Sequence, residues 1–290
     1  MGFYSPQSLV ADARRHGVTV LRPDVAASGV RAGVERVQAT GGATGPRTGQ
    51  VVLDVDPTLA VRLGLAEVRG VGEQVAHAVV TERSRRPFVD LRDLVRRVRL
   101  STAQLEALAT AGALVSLGVG RREGVWAAGA LAQEGPDTLP GVAVGVDAPT
   151  LPGMSDVEVS MADVWATGVT VDTYPTRYVR DGLDRAGVLT VADAVVHEPD
   201  RRVAVAGVVT HRQRPGTAQG VTFLSLEDET GLLNVVCSAG LWRRFRTVAR
   251  TSPALVVRGR LERADGATNL VAEHLAPLSL QIPTSSRDYR

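Results

Sequence analysis

The residues Gly70, Val71 and Gly72 form the step of this sequence that is best suited to bind an anion. Glycine adopts positive φ angles without steric cost, so a Gly-Val-Gly step predicts a sharp backbone turn. The periodic apolar residues on either side, within residues 65–83, predict a helix before and after the turn. The N–H groups at the start of the second helix would be uncovered, and the helix dipole favours a negative charge there. We interpret the segment as a helix-hairpin-helix that binds a nucleic-acid phosphate.

Two arginines flank this hairpin. Arg69 precedes the turn and Arg83 follows on the second helix, so both are placed to reach phosphates without reading bases. The alternative interpretation is a helix that ends at a glycine cap and restarts after a tight turn. The apolar positions expected to pack the two helices together are Leu65, Val68, Val71, Val75, Ala76, Val79 and Val80. The candidate DNA-binding residues of this segment are Arg69, Gly70, Val71, Gly72 and Arg83.

A second candidate binding surface lies in the C-terminal third, where the apolar period changes to that of β-strands. The five strand candidates are 203–209, 221–226, 232–237, 254–261 and 269–275. A helix at residues 241–249 falls between the third and fourth strands, and this order predicts a small OB-fold barrel. Such barrels bind single strands with aromatic side chains that stack on bases and arginines that contact phosphates. The candidates here are Arg212, Arg214, Phe223, Arg258 and Arg260, although Phe223 also fits a core position.

The sequence offers no pattern of a catalytic or metal site. Asp54 and Asp56 alternate in VVLDVDP and would share a strand face, but a third carboxylate and a basic triphosphate cluster are missing, which favours a turn at the strand end. Cys237 stands in an apolar strand, which predicts a buried and unreactive thiol. The five histidines, His16, His77, His197, His211 and His274, lack metal-ligand spacing. We expect neither a catalytic residue nor a bound cofactor in this chain.

The local signals position these candidates on a chain of several elements. Ser5-Pro6 predicts the start of a helix that runs to His16, and strands are expected at 18–21 and 51–55. Further helices are expected at 91–97, from a Ser101 capping box to Ala111, and at 154–167. Residues 133–152 are rich in glycine and proline, as is typical of a linker.

These elements predict a multidomain α+β chain. An all-α helix-hairpin-helix module precedes an all-β OB-fold barrel, and a small mixed piece lies at the N-terminus. The expected divisions are 1–56, 57–130 for the hairpin module, 131–200 for an acidic connector, 201–278 for the barrel and 279–290 for a flexible tail.

Charge is distributed unevenly along the chain, which has 33 basic residues, all of them arginine. Residues 61–125 carry 11 arginines and 7 acidic residues, and residues 201–275 carry 11 arginines and 6 acidic residues. The intervening residues 126–200 carry 3 arginines and 12 acidic residues. Two basic modules around an acidic connector favour a nucleic-acid partner, although solvated surfaces give similar patterns. The sequence shows neither a membrane span nor a signal peptide, so we expect a cytoplasmic protein.

Five segments, in their order and spacing, resemble a known family. They read MGFYSPQSLVADARRHGVTVLRPDV, LGLAEVRGVGE, LEALATAGALVSLGVGRREGVW, LPGMSDVEVSMADVWATGV and VAVAGVVTHRQRPGTAQGVTFLSLEDETGLLNVVC. Together they resemble the C-terminal part of a bacterial C-family DNA polymerase, of the error-prone branch that acts in damage-induced translesion synthesis. The resemblance covers essentially the whole length, with one departure at Ala26, where the family usually has asparagine.

The resemblance implies a non-catalytic DNA-binding part whose parent is a DNA-directed DNA polymerase and nucleotidyltransferase. The family's catalytic palm carboxylates and N-terminal phosphoesterase domain have no counterpart before Met1, so we expect this chain to be inactive alone, with Mg²⁺ required only by the parent. Expected partners are duplex DNA backbone, single-stranded template and a mutagenesis accessory protein. The sequence leaves open whether Met1 is a true start, the start of a truncated gene, or the start of one part of a split polymerase whose catalytic half is encoded separately. Residues 150–170 contain no glutamine-led clamp peptide, so we expect only indirect contact with a sliding clamp. The alternatives are a tRNA-binding accessory and a protein-interaction module.

Overall fold

A computed structural model describes residues 5–37, 56, 58–134, 145–146, 148–215, 220–264, 267–280 and 287–289. The chain divides into two compact units. The hairpin unit comprises the described residues of His16–Gly45 and Val51–Val171, and the barrel unit comprises those of Met1–Arg15 and Asp172–Arg290. The boundary after Val171 divides the predicted connector 131–200 between the two units. In the described part of the chain it is therefore not a separate linker.

A small mixed sheet belongs to the hairpin unit. Its strands are β1 (Thr19–Leu21), β2 (Gly33–Arg36) and β3 (Leu59–Arg62), in the order β1-β3-β2. Strand β3 pairs in parallel with β1 and antiparallel with β2. The strand at 18–21 was predicted, whereas the strand predicted at 51–55 lies outside the described residues. Because β3 falls within 57–130, the prediction that this module is entirely helical was wrong.

Five helices complete the hairpin unit. They are α2 (Gly72–Arg85), α3 (Leu91–Arg97), α4 (Thr102–Thr110), α5 (Arg121–Leu131) and α6 (Asp156–Thr167). Short 3₁₀ turns lie at Leu65–Glu67 and Val115–Leu117. The predicted capping box is present, since Ser101 accepts from the Gln104 N–H and the Gln104 side chain accepts from the Ser101 N–H. The core of this unit contains six fully buried leucines: Leu65, Leu94, Leu105, Leu108, Leu114 and Leu131.

Helix α6 is an integral part of the hairpin unit. Its Asp163 is almost fully buried and accepts hydrogen bonds from two arginines. The Arg22 Nη2 donates over 2.8 Å and the Arg121 Nη2 donates over 2.6 Å. A buried carboxylate that satisfies two cations is costly to separate from them, because each charge would lose its partner in a poorly solvated site. These bonds tie α6 to the chain after β1 and to α5.

The barrel unit contains the predicted OB-fold. Its strands are β4 (Arg202–Gln213), β5 (Thr222–Glu227), β6 (Leu232–Cys237), β7 (Ala254–Ala264), β8 (Ala267–Pro277) and β9 (Arg287–Tyr289). The order is β5-β6-β8-β7-β4-β9, and β4 also pairs with β5, which closes a five-stranded barrel. The β6–β8 pair is parallel, and the other pairs in the closed barrel are antiparallel. Strand β9 pairs with β4, so this part of the predicted flexible tail is ordered.

A single glycine allows two barrel strands to approach closely. A Cβ atom added at Gly259 on β7 would lie 2.1 Å from the Val271 carbonyl oxygen on β8. The pairing register shifts between Arg258 and Gly259, so the glycine stands at a bulge. Any larger residue would force β7 and β8 apart.

Short helices surround the barrel. They are α1 (Pro6–Arg15), α7 (Arg180–Arg185), α8 (Val191–Val196), α9 (Ala239–Arg244) and α10 (Arg246–Thr251), with a 3₁₀ helix at Pro175–Val179. The helix predicted at 241–249 is thus two short helices that meet at Phe245. Trp242 and Phe245 pack against the barrel core.

Buried carboxylates at the end of β5 and in the turn after it bind side chains of α1 and α7. The Ser8 hydroxyl and the Arg15 guanidinium of α1 donate to Glu227 over 2.8 Å and 3.2 Å. Arg180 donates to Glu229 over 2.6 Å and to Asp228 over 3.1 Å. Burial raises the pKa of Asp228. Helices α1 and α7 are therefore attached to the barrel sheet through ionic contacts.

Candidate nucleic-acid interface

The hairpin is built as the Gly-Val-Gly step predicts. Gly70 and Gly72 adopt φ angles of +74° and +66°, and Val71 between them is buried. The turn connects the 3₁₀ helix at Leu65–Glu67 to α2, and the Val71 N–H donates to the Val68 carbonyl over 3.0 Å. No side chain caps the N-terminus of α2. The first-turn N–H groups lack partners within the helix, so they present donors and the positive end of the dipole to an anion.

Contacts from two other helices fix the position of the turn. The Gln104 Nε2 of α4 donates to the Gly70 carbonyl over 3.2 Å. The Arg69 N–H donates to the Ala166 carbonyl of α6 over 2.8 Å. These bonds occupy backbone groups that precede α2, while both glycines remain exposed with open space around them. Residues of three helices, α2, α4 and α6, therefore form and position the candidate anion site, whereas the sequence predicted only the two helices of the hairpin.

The two arginines predicted at the hairpin have different roles. Arg69 is exposed, and its guanidinium lies 5.0 Å from the centre of the Trp165 ring. Arg83 instead donates to the Val25 carbonyl over 2.9 Å, and partial burial lowers its pKa. The phosphate contact predicted for Arg83 stays a prediction. Its side chain holds the loop at Val25.

An acidic residue stands next to the anion site. Glu73, in the first turn of α2, forms an exposed ion pair with Arg31 at 2.7 Å. The hydrogen bond and charge of Glu73 raise the pKa of Arg31. The carboxylate interacts favourably with the helix dipole, and it also repels a phosphate at the same end.

The second candidate surface is the outer face of the barrel. Phe223 on β5 pairs with Val236 on β6, which pairs with Val271 on β8, which pairs with Arg260 on β7. These four residues form one cross-strand row on the outside of the barrel, which we call the outer row. Phe223 is 37% exposed, so the expectation of a core position is not met. Phe223 and Arg260 stand at the two ends of this row, with β6 and β8 between their strands.

A polar row runs beside the outer row and was missed by sequence reasoning. It consists of Ser225, Asn234, Asn269 and Glu262, paired in that order across the same four strands. Asn234 is exposed. Alternation along β6 places Asn234 on the face of Val236, and this was the signal available in the sequence.

The remaining arginines of the barrel differ in availability. Arg212 is 6% exposed and donates to the Ala249 carbonyl over 2.8 Å and to the Ser252 carbonyl over 2.6 Å. The phosphate contact predicted for Arg212 is therefore corrected, because its guanidinium holds the end of α10. Arg214 and Arg258 are exposed, as the prediction requires. Arg260 is half-buried and bonded to Asp200 and Glu262.

Asp56 and Cys237 have structural roles. The Asp56 carboxylate accepts from the Thr58 hydroxyl over 2.6 Å and from its N–H over 2.9 Å, and these bonds lower the pKa of Asp56. This confirms a turn at Asp56, whereas Asp54 lies outside the described residues. Cys237 is buried, and burial raises the pKa of its thiol to about 12. Among the described residues, no three His, Cys, Asp or Glu side chains are grouped to hold a metal ion.

Two protein families match the two units. Residues 17–124 match a family described as "Helix-hairpin-helix motif", and residues 203–278 match one described as "OB-fold nucleic acid binding domain". These matches confirm the predicted fold of a hairpin module followed by an OB-fold barrel. No helix in the described ranges is long and apolar enough to cross a membrane.

Homologous proteins extend over the whole chain. The error-prone DNA polymerase of Mycolicibacterium paratuberculosis is 52% identical over 291 positions, which cover 100% of this chain and 25% of that protein. The error-prone DNA polymerase of Nocardia farcinica is 50% identical over 299 positions, which cover 100% of this chain and 24% of that protein. The chain thus spans about a quarter of the length of the relatives it matches. This confirms its resemblance to a part of these polymerases.

Solved structures match only part of the chain. An asparaginyl-tRNA synthetase from Pyrococcus horikoshii aligns with a TM-score of 0.27 and 21% sequence identity. The alignment covers 34% of this chain and 24% of the synthetase.

Proposed function

We propose, from the homology of this chain to a quarter of each error-prone DNA polymerase, that it is the non-catalytic DNA-binding C-terminal region of such an enzyme. The parent activity is DNA-directed DNA synthesis across lesions after DNA damage, in the bacterial cytoplasm. The observation that carries the proposal is identity near 50% along all of the chain, including both units with nucleic-acid-binding architectures. In the parent, Mg²⁺ and the palm carboxylates that hold it belong to regions other than the one matched here.

The two units bind different parts of the primer–template DNA. The open first turn of α2 offers backbone donors to a phosphate, which suits the sugar–phosphate backbone of duplex DNA. The outer row offers the exposed phenyl ring of Phe223, which suits stacking on an unpaired base. We assign duplex backbone to the hairpin unit and single-stranded template to the barrel unit. Contact with a sliding clamp is indirect and runs through a mutagenesis accessory protein.

The test is equilibrium binding of the purified chain to primer–template DNA, blunt duplex, single strand and tRNA across a salt series. We expect primer–template DNA to bind most tightly, with an affinity that falls as salt rises because phosphate contacts release counterions. Preference for tRNA over primer–template DNA would favour the tRNA-binding alternative. Binding without salt dependence would refute nucleic-acid recognition and favour a protein-interaction module.

The assignment of the single strand is tested by Phe223→Ala. Stacking of a base on an aromatic ring contributes about 1–3 kcal/mol, so the change should weaken single-strand binding by about five- to 150-fold. Binding of blunt duplex should stay the same. The matched control is Val196→Ala, which truncates an exposed apolar side chain on α8 of the same unit. Equal losses in both variants would contradict a stacking role for Phe223.

A further inference from the structure

An exposed tryptophan outside the helix-hairpin-helix segment contacts Arg69, the residue before the Gly-Val-Gly turn. Trp165 lies on α6, beyond the residues 17–124 that match the motif family, and its side chain is 47% exposed. The ring lies under the guanidinium of Arg69, with 5.0 Å from Cζ to the ring centre. A large ring stabilises a fold most when it is buried, and about half of Trp165 is not.

The neighbouring backbone holds the two residues together. The Arg69 N–H donates to the Ala166 carbonyl over 2.8 Å, so the residue before the turn is attached to the residue after the tryptophan. Ala166 belongs to the last turn of α6, where the carbonyl end of the helix dipole attracts a cation. Both the ring and the dipole thus favour one position of the Arg69 side chain, over Trp165 at the C-terminal end of α6.

We propose that Trp165 is a positioning residue for phosphate binding, which holds the Arg69 guanidinium beside the open N-terminus of α2. A long arginine side chain loses conformational freedom when it binds, and a ring that restricts it beforehand reduces that loss. The completed site combines the first-turn amides of α2 with one oriented guanidinium. It takes a phosphodiester of the DNA backbone, and α6 becomes part of the interface. This inference rests on the proposed function.

The salt dependence of DNA affinity distinguishes a positioning role of Trp165 on Arg69 from ordinary packing of the two side chains. Each phosphate contact contributes about 0.9 to the slope of log affinity against log salt for duplex DNA. Arg69→Gln removes the guanidinium and should lower the slope by about that amount. Trp165→Leu keeps the net charge, so a purely structural role would leave the slope unchanged. We expect Trp165→Leu to lower it towards the Arg69→Gln value.

The affinities provide a second, independent measure. A cation–π contact at an exposed site contributes about 0.5–1 kcal/mol, which corresponds to a loss of about two- to fivefold for Trp165→Leu. Trp165→Phe keeps an aromatic face and should recover part of the affinity and slope. In the double variant, Trp165→Leu should add no further loss to Arg69→Gln, because the ring acts through the arginine.

The matched control is Trp126→Leu. Trp126 is 54% exposed on α5 of the same unit, and its ring has no cation–π contact recorded among the described residues. We expect unchanged affinity and slope. The variant Trp126→Phe with Trp242→Phe leaves Trp165 as the single tryptophan, whose fluorescence should change on binding duplex DNA.

The outcomes separate this inference from the proposed function. Absence of salt-dependent DNA binding by the unchanged chain would overturn the proposed function itself. Normal DNA binding with an unchanged slope in folded Trp165→Leu, or a silent Trp165 fluorescence signal, would overturn only the role of Trp165. Additive losses in the double variant would also overturn it, since they would show that the ring and the guanidinium act separately. Circular dichroism and thermal unfolding establish that each variant is folded.

Discussion

The glycines of the hairpin allow stability and DNA affinity to be separated. Gly70 and Gly72 have φ angles of +74° and +66°, and an added Cβ would meet no atom within 4 Å at either position. A Gly→Ala change is therefore penalised by the backbone conformation and not by a clash. The left-handed conformation costs an L-residue about 1–2 kcal/mol, which is small enough for each single variant to stay folded.

DNA affinity should fall by more than the stability loss alone explains. Alanine relieves its strain by rotating towards negative φ, which turns the N–H groups at the start of α2 away from the phosphate. A hydrogen bond to a charged group contributes about 1.5–3 kcal/mol, so loss of one amide donor lowers affinity about ten- to one-hundredfold. Denaturant unfolding measures the stability of Gly72→Ala, and fluorescence anisotropy with labelled duplex DNA measures its affinity at a fixed ionic strength.

Two further glycines supply matched controls in the same unit. Gly118 has φ of +73° and open space, so Gly118→Ala carries the same strain outside the hairpin. It should lose the same stability and keep full DNA affinity. Gly129 lies within α5 with open space, and Gly129→Ala should gain about 0.5–1 kcal/mol of stability. The reasoning is refuted if Gly72→Ala loses stability and binds DNA as well as Gly118→Ala does.

Three predictions concern the stability of the two units. The Arg62 hydrogen bond lowers the pKa of Glu35. The Glu35–Arg62 ion pair therefore contributes about 1 kcal/mol of stability above the unfolded pKa of about 4.3, and this contribution is lost as pH falls through the folded pKa. The stability deficit of Glu35→Gln, measured by urea unfolding, should accordingly vanish in acid; a constant deficit would contradict this. Arg180→Met leaves the buried Asp228 without its cation and should cost about 3–5 kcal/mol in thermal unfolding, whereas a loss near zero would show that the pair is dispensable. The buried Cys237, with its pKa raised to about 12, should resist a thiol reagent until denaturant is added, and rapid labelling of the folded chain would disprove its burial.

Local chemistry made parts of this fold predictable. The positive φ angles follow from the Gly-Val-Gly step because glycine is the residue that adopts them without strain. The helix at Thr102–Thr110 follows from its Ser101 capping box, since both partners lie within one turn. The barrel follows from alternation along its strands, although β4, β7 and β8 are longer than the sequence indicated. Each signal acts within a few residues.

The errors arose where distant residues decide the outcome. Arg212 was predicted at the surface, but carbonyls from Ala249 and Ser252, about forty residues later, bind and bury it. Phe223 was a candidate surface residue that also fitted a core position by residue type, and only its pairing with Val236 on β6 decides between the two. Trp165 was assigned to a connector, because nothing local shows that α6 packs beside Arg69.

The arginines show why net charge alone is a poor guide to a DNA interface. In the hairpin unit, Arg22 and Arg121 bind the buried Asp163, Arg62 binds a carboxylate, and Arg83 binds a carbonyl. Each of these guanidiniums raises the net charge of the unit, yet its donors are directed at the protein. The anion site depends instead on a few backbone donors and one oriented side chain at a helix N-terminus. In the proposed function, the charge of this unit attracts DNA at long range, while the hairpin determines where the backbone binds.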